Sequence, residues 1–185
     1  MTDHATLVAL LATRSTRRGH FTLASGKTST FYIDARLTTM SPDGLSLIGP
    51  LGLEVLRRTG WPVDAVGGLT LGADPISYAI SYASAMSGHP VRAFTVRKEA
   101  KKHGTGKRVE GPFNPGDRVA IVEDVITTGG SALQAMDVIR EAQGVVVGVL
   151  ALVDREEGGR QAIEATGIPV VSLVRASEII AMMKD

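Results

Sequence analysis

Two adjacent carboxylates and a hydroxyl-rich turn stand together near the middle of the chain. The apolar run 119–122 predicts a buried strand, and Glu123 and Asp124 follow at its carboxyl end. Carboxylates in that position can accept hydrogen bonds from sugar hydroxyls. The next turn, residues 127–131, offers three hydroxyls, backbone N–H groups and the positive end of a helix dipole, which together suit a phosphate dianion. The run therefore predicts a site for a 5-phosphoribosyl group.

The alternative for this segment is an acidic strand end followed by an ordinary capped helix. The order of residues 119–131, after a fully apolar strand, favours the functional interpretation. The segment resembles, without a gap, the signature of the type I phosphoribosyltransferases for 5-phosphoribosyl 1-pyrophosphate (PRPP). No G-x-x-x-x-G-K-[ST] sequence occurs, and no G-x-G-x-x-G follows a strand. The resemblance implies that PRPP contacts Glu123, Asp124, Val125, Ile126, Thr127, Thr128, Gly129, Gly130 and Ser131.

Length and composition fit one globular domain, residues 1–185. The chain is 44% hydrophobic and 21% charged, with a net charge of +1, which argues against a nucleic-acid coat and confines any positive field to a local region. The absence of cysteine excludes disulfides, thiolate metal sites and a cysteine nucleophile. The apolar stretch 7–12 is too short to cross a bilayer and predicts an amphipathic first helix. We expect a cytoplasmic protein without a membrane partner.

Strands and helices alternate along the chain, and the strands are apolar throughout. This pattern predicts an α/β fold with a parallel, Rossmann-like sheet flanked by helices, and a small N-terminal hairpin as a hood within about residues 1–40. Ser41 and Pro42 predict one helix start, and Asp74 with Pro75 predicts another. The sequence predicts hairpin strands at 21–23 and 30–33, further strands at 63–66, 91–96, 118–122, 145–153 and 170–174, and later helices at 131–143 and 159–166.

A basic segment interrupts this regular pattern. About twenty residues without periodicity separate Val96 from Arg118, a length typical of lids or disordered loops. Residues 97–108 carry six basic side chains and one histidine against one acid, with two glycines. The segment could be a solvated loop or a nucleic-acid patch, although no aromatic residue is interleaved for base stacking. Beside a phosphoribosyl site, the simplest partner for these cations is pyrophosphate.

A second anion loop is predicted after the strand at 63–66. Gly67 and Gly68, followed by Gly72, would let the backbone approach an anion closely ahead of a capped helix. Such turns also arise for packing reasons alone. Next to the first motif, this segment takes the position of the pyrophosphate loop of the family, with Leu71 and Gly72 as PRPP-binding residues.

Three further segments resemble the orotate phosphoribosyltransferases. The segment 21–34 (FTLASGKTSTFYID) resembles their N-terminal signature, and 97–104 (RKEAKKHG) resembles their mobile catalytic loop, here 97–112. Asp154-Arg155 matches the position of an orotate-binding arginine, although an isolated Asp-Arg pair is more often a surface ion pair. Phe21, Phe31 and Tyr32 offer flat surfaces for a ring, or they form a small core of the hairpin itself. Ala24, Leu71-Gly72 and Ile33 depart from the residues that many members carry, and two cations are thereby absent.

The resemblance implies a Mg2+-dependent transfer of the 5-phosphoribosyl group from PRPP to orotate. It implies Lys101, His103 and Asp124 as catalytic residues, with Arg97 and Lys98 also on PRPP. It implies Thr127, Arg155, Tyr32 and Ile33 around orotate, with Mg2+ held mainly through PRPP. It also implies a homodimer in which subunits share the lid, with no nucleic-acid partner. Two alternatives remain open: a purine phosphoribosyltransferase, and a regulator that keeps this fold but binds RNA or DNA.

Overall fold

The computed structural model describes residues 2–22, 28–99 and 107–183. Six strands form the central sheet in the order β5-β4-β3-β6-β7-β8. All neighbouring strands in it pair in parallel except β4 and β5. The strands are β1 Thr16–Thr22, β2 Thr28–Ile33, β3 Ala65–Leu69, β4 Arg92–Val96, β5 Val109–Glu110, β6 Arg118–Ile126, β7 Val145–Asp154 and β8 Val170–Arg175.

Helices cover both faces of this sheet. They are α1 Asp3–Leu10, α2 Arg36–Thr39, α3 Pro42–Thr59, α4 Ala73–Met86, α5 Gly130–Glu141, α6 Gly159–Glu164 and α7 Ala176–Met182, with a π-helical turn Leu11–Ser15 after α1. Alternate residues of β6 enter two separate cores. Ala120 and Val122 pack with residues of α1, α3 and α4, whereas Val119 and Ile121 pack with residues of α5 and α6. The predicted α/β fold with a mostly parallel sheet is confirmed, and burial on both faces explains its apolar strands.

The hairpin stands apart as a two-stranded antiparallel sheet of β1 and β2. Its first strand begins at Thr16, five residues before the predicted start, and its register shifts between Arg18 and Phe21. The predicted turn at 25–27, together with Ala24, lies outside the described residues. Within the described ranges, no helix is both long and apolar enough to cross a bilayer.

The prediction for β3 needs a correction, because the strand runs further than expected. Gly67 and Gly68 lie inside it and are buried, rather than in a loop after it. A Cβ atom at Gly67 would lie 2.3 Å from the Phe94 carbonyl oxygen, and one at Gly68 would lie 2.0 Å from that of Val122. These glycines therefore permit the close approach of neighbouring strands, and anion binding is left to the residues that follow them.

Three other boundaries differ from the predictions. Strand β6 continues to Ile126, so Glu123 and Asp124 lie within its last residues rather than after its end. Asp74 does not cap α4, whose N-cap is Gly72 without a side-chain hydrogen bond. The segment predicted to lack regular structure contains β5, which pairs with the end of β4. By contrast, Ser41 caps α3 as predicted, accepting a hydrogen bond from the Gly44 N–H at 3.1 Å.

Candidate active site

A cavity of about 640 Å3 opens at the carboxyl ends of β3 and β6. It is bounded by the end of the hairpin, the segment after β3, the end of β6 and the start of α5. Of the predicted site residues, the cavity is lined by Tyr32, Ile33, Leu71, Gly72, Lys98, Glu123, Asp124, Val125, Thr127, Thr128, Ser131 and Arg155. The structure thus brings together residues separated by more than a hundred positions in the chain.

Other predicted residues do not line this cavity. Arg97 faces Glu110, with 3.6 Å between its Nη1 and the Glu110 Oε1. Ile126, Gly129 and Gly130 support the wall without lining it. The predicted catalytic residues Lys101 and His103 lie outside the described residues.

The carboxylate pair differs in environment. The Asp124 Oδ1 accepts a hydrogen bond from the Val125 N–H at 2.8 Å, which fixes that side chain at the end of β6. Oε2 of Glu123 is buried without a hydrogen-bond partner among the described residues. Burial, and then the charge of Asp124 and a hydrogen bond to it, raise the pKa of Glu123 well above its usual range, while Lys98 opposes this shift. Glu123 therefore takes up a proton more readily than an exposed glutamate does.

The turn before α5 provides the anion-binding end of the cavity. Gly129 is the N-cap of α5 with φ 82°, and no side chain caps the helix. The first N–H groups of a helix have no partner within it. A Cβ atom at Gly129 would lie 2.8 Å from the Gly159 carbonyl oxygen, so only glycine allows the turn to close against α6. The exposed Thr128 and Ser131 add hydroxyls at the same end.

The segment after β3 forms the opposite wall. Its backbone is held at Thr70, whose N–H donates to the Val96 carbonyl at 2.8 Å, and the Thr70–Leu71 peptide bond is cis. Gly72 lies against Asp124: a Cβ atom there would be 2.6 Å from the carboxyl carbon. This wall presents backbone and a leucine side chain to the cavity, not a cation.

Arg155 is a buried cation at the hairpin end of the cavity. It is 5% exposed, and its Nε and Nη2 donate to Oε1 of Glu157 at 3.0 and 2.8 Å. Nη2 also donates to Ser29 Oγ at 3.0 Å, and the guanidinium lies 4.5 Å from the ring centroid of Phe31. Arg155 is therefore fixed by the hairpin and does not form a surface ion pair with Asp154.

Asp154 instead accepts a hydrogen bond from the Arg160 Nε at 2.8 Å. Its other oxygen accepts the Glu156 N–H at 2.8 Å. This pairing holds the turn that follows β7 and so directs Arg155 towards the cavity.

The hairpin brings both polar and apolar groups to this end of the cavity. Tyr32 is 42% exposed, and its ring centroid lies 5.6 Å from that of Phe21. Ile33, by contrast, is only 7% exposed and belongs to the core.

Sequence reasoning missed one ion pair in the wall of the cavity. Arg36 donates to both carboxylate oxygens of Asp34, from Nε at 2.8 Å and from Nη2 at 3.0 Å. The Arg36 hydrogen bond is the main reason that the pKa of Asp34 is lowered. Asp34 is the last residue of the segment 21–34. The arginine two residues after it is the sequence signal that could have predicted this ion pair.

No group of three or more His, Asp or Glu side chains that could hold an ion occurs among residues 2–22, 28–99 and 107–183. The oxygen-rich pair at Glu123 and Asp124 suits Mg2+ chemically, but only with further oxygen atoms from a ligand.

No family model matches the sequence, but individual proteins resemble it closely. The chain is 51% identical over 160 residues to an orotate phosphoribosyltransferase of Aquifex aeolicus, covering 86% of each chain. It is 47% identical over 182 residues to one of Rhodopseudomonas palustris, covering 96% of each. The crystal structure of Mycobacterium tuberculosis orotate phosphoribosyltransferase in complex with PRPP superposes with a TM-score of 0.81 at 39% identity, covering 96% of this chain and 99% of that one.

Proposed function

The chain belongs to the orotate phosphoribosyltransferases, and from that membership we propose how its residues transfer a 5-phosphoribosyl group from PRPP to orotate. The products are orotidine 5'-monophosphate and pyrophosphate, and the reaction is a step of pyrimidine (UMP) biosynthesis. One observation carries the assignment of residues: carboxylates, an uncapped helix end and a fixed arginine line the same cavity.

The end of β6 and the turn before α5 bind the phosphoribosyl group. Glu123 and Asp124 hold the ribose hydroxyls, because carboxylate oxygens accept hydrogen bonds from them. Backbone N–H groups and hydroxyls of residues 127–131 bind the 5'-phosphate at the start of α5. Val125 and Ile126 connect the two groups within β6.

Charge stabilisation around the leaving group provides most of the catalysis. As pyrophosphate leaves, positive charge grows on the ribose ring and negative charge grows on pyrophosphate. Asp124 faces the ribose, whereas Lys98, Lys101 and His103 neutralise pyrophosphate. Arg97 faces Glu110 outside the cavity and would have to turn away from that residue to join them. The backbone of Leu71 and Gly72 binds the same anion. Closure of the segment 97–112 over the cavity excludes water, whose attack would hydrolyse PRPP.

Arg155 recognises orotate. Nε and Nη2 hold the guanidinium against Glu157 and Ser29, which leaves the N–H groups of Nη1 to donate to oxygen atoms of the planar, anionic pyrimidine. Thr127, Tyr32 and Ile33 line the adjoining wall.

Glu123 and Asp124 are the residues that would hold Mg2+, together with oxygen atoms of PRPP. When bound, the ion neutralises negative charge on pyrophosphate. Glu123 and Asp124 lower the electrostatic cost of holding it there.

Two subunits form a homodimer through an apolar surface beside the cavity. Two hollows, of about 600 and 770 Å3, adjoin along α3 and α4, and both are lined by Leu45 and Tyr82. Tyr82 is 71% exposed and Met86 is 74% exposed, which is typical of an association surface. Leu71 lines both this surface and the cavity. A second copy on this surface would therefore lie next to the PRPP site, where its segment 97–112 could complete that site.

An assay of four bases tests the assignment. Purified protein is incubated with PRPP and Mg2+, and pyrophosphate release is measured with orotate, uracil, hypoxanthine or adenine. We expect substantial release with orotate alone and none when Mg2+ is omitted. Comparable turnover of hypoxanthine or adenine would support the purine alternative and contradict this function.

A further inference from the structure

We infer that Asp74 is a positioning residue that holds residues 70–72 in place for PRPP. The inference rests on the proposed function, which places Leu71 and Gly72 on pyrophosphate. Asp74 lies in the first turn of α4 and does not line the active-site cavity. Its effect on the reaction must therefore pass through other residues.

Both carboxylate oxygens of Asp74 accept hydrogen bonds from threonine hydroxyls. Oδ2 accepts from Thr70 Oγ1 at 2.7 Å, and Oδ1 accepts from Thr95 Oγ1 at 2.8 Å. Thr70 begins the segment 70–72, which we call the pyrophosphate wall, whereas Thr95 belongs to β4. The carboxylate thus joins the start of the wall to a strand of the central sheet.

The direction of these hydrogen bonds extends the network to Tyr78. A threonine hydroxyl carries one hydrogen, and Thr95 donates it to Asp74. The contact of 2.8 Å between the Tyr78 hydroxyl and Thr95 Oγ1 therefore has Tyr78 as its donor. Tyr78 is 52% exposed on the apolar surface beside the cavity, so the network links that surface to the pyrophosphate wall.

The charge of Asp74 excludes a direct role in binding pyrophosphate, because two anions repel. Among the described residues, Asp74 forms no ion pair, and the two threonine hydroxyls and the N-terminal end of α4 stabilise its charge. Hydrogen bonds to a charged acceptor are about twice as strong as neutral ones. This arrangement fits a residue that restrains Thr70.

The restraint on Thr70 affects the cavity through Gly72. The backbone of Thr70 is already bound to Val96 at 2.8 Å, so its side chain and main chain are both fixed. Gly72 follows two residues later and lies against the Asp124 carboxylate. Release of Thr70 would therefore disturb the pyrophosphate wall, whereas the Val125 N–H still holds the Asp124 carboxylate.

The test compares Asp74→Ala with Asp74→Asn in the full-length protein. Loss of both acceptors in Asp74→Ala should raise the KM for PRPP about tenfold, the effect of one hydrogen bond to a charged group. The KM for orotate and kcat at saturating PRPP should stay within about twofold. Asp74→Asn should restore most of the PRPP affinity, because the amide can both accept from and donate to the two hydroxyls.

Asp43→Ala is the matched control. Asp43 also lies in the first turn of a helix, α3, and pairs with Arg14 away from the cavity. Its replacement removes the same favourable interaction with a helix dipole and should leave the KM for PRPP unchanged. If Asp74→Ala only lowers the melting temperature, as Asp43→Ala would, and the KM for PRPP does not rise, the inference is wrong.

Two further variants separate the possible failures. Thr95→Val removes a single donor with little change of shape and should raise the KM for PRPP about threefold. If Asp74→Ala does not fold, this variant tests the inference in its place. Gly72→Ala tests the pyrophosphate wall itself. If Gly72→Ala raises the KM for PRPP and neither Asp74→Ala nor Thr95→Val does, the inference alone fails. If Gly72→Ala also has no effect, the assignment of residues 70–72 to PRPP fails.

Discussion

The carboxylate of Asp124 occupies the space that a side chain at Gly72 would need. A Cβ atom at position 72 would lie 2.6 Å from Cγ and 2.7 Å from Oδ1 of Asp124, closer than real atoms approach. Gly72, which we place on pyrophosphate, is thus in direct contact with the Asp124 carboxylate, which we place on ribose. A substitution at either residue affects the other.

Gly72→Ala should therefore reduce activity although alanine is small. The methyl group would displace the Asp124 carboxylate, and we expect kcat/KM for PRPP to fall by about tenfold or more, in the range for a misplaced catalytic group. Steady-state kinetics at varied PRPP concentrations checks this. Binding of orotate and the melting temperature serve as controls and should change little, and an unaltered kcat/KM would contradict the assignment of residues 70–72 to PRPP.

Arg155→Lys should weaken orotate binding selectively. Lysine lacks the planar set of donors that contacts Glu157 and Ser29, and arginine and lysine are not interchangeable at such sites. We expect the KM for orotate to rise by about 10- to 100-fold, while that for PRPP stays within about twofold. Arg140→Lys, on the exposed side of α5, is the control. A rise in the KM for PRPP alone would assign Arg155 to the other substrate.

Glu123 should make the ligand-free protein less stable as pH rises. Its pKa is raised in the folded state, mainly by burial and then by Asp124, so the folded protein retains a proton that the unfolded chain releases. The associated stability is complete below the ordinary glutamate pKa of 4.5 and is lost as pH rises through the raised, folded value.

Glu123→Gln stays neutral and should avoid this loss. Thermal unfolding of both proteins across a pH series checks the prediction, with the variant gaining on the parent as pH rises above 4.5. Glu141→Gln, an exposed residue of α5, controls for the loss of a surface carboxylate. A difference between Glu123→Gln and the parent that does not vary with pH would mean that the pKa of Glu123 is the same in the folded and unfolded states.

The sequence predicts the layers of this fold because its apolar runs are long and uninterrupted. Residues 119–122 predict a buried strand, and the structure places their side chains in the two cores. The residue types of Glu123 and the turn 127–131 predict binding of a phosphorylated sugar from the same kind of local pattern, and the structure places Glu123, Thr127, Thr128 and Ser131 around one cavity. Local signals of this kind need no knowledge of distant contacts.

The errors occur where distant contacts override local signals. Asp74 stands before a helix and predicts a cap, yet its oxygens accept from Thr95, 21 positions away. Glu123 and Asp124 predict the end of a strand, yet pairing with β7 continues to Ile126. Local patterns cannot show either contact, because both depend on how the strands pair.

Lys101→Ala should lower turnover more than it lowers substrate binding. If Lys101 stabilises charge on departing pyrophosphate, kcat should fall by roughly 10^2, the usual cost of losing one such contact. Orotate binding should be unchanged. Lys107→Ala, an exposed lysine of the same segment, is the control. A kcat within about twofold of the parent, with PRPP affinity lost, would make Lys101 a ground-state binding residue.

Mixed dimers should recover activity that neither parent variant possesses. In Lys101→Ala the lid, segment 97–112, is defective. In Asp124→Asn the ribose-binding part of the cavity, here called the floor, is defective. If the lid of each subunit serves the other, one site of every mixed dimer combines a sound floor with a sound lid. Random exchange makes about half of the dimers mixed, so activity should return to roughly a quarter of the parent value.

The measurement requires proof that subunits exchange, for which differently tagged chains and co-purification suffice. Activity is then followed over time after mixing equal amounts of the two variants, with each variant alone as the baseline. Tyr82→Asp, on the apolar surface that we assign to the dimer, should prevent both exchange and recovery, because a charge there opposes burial. If tagged subunits exchange and activity stays at the baseline, each lid serves its own chain. In that case the nearness of Leu71 to the apolar surface does not reflect a shared site.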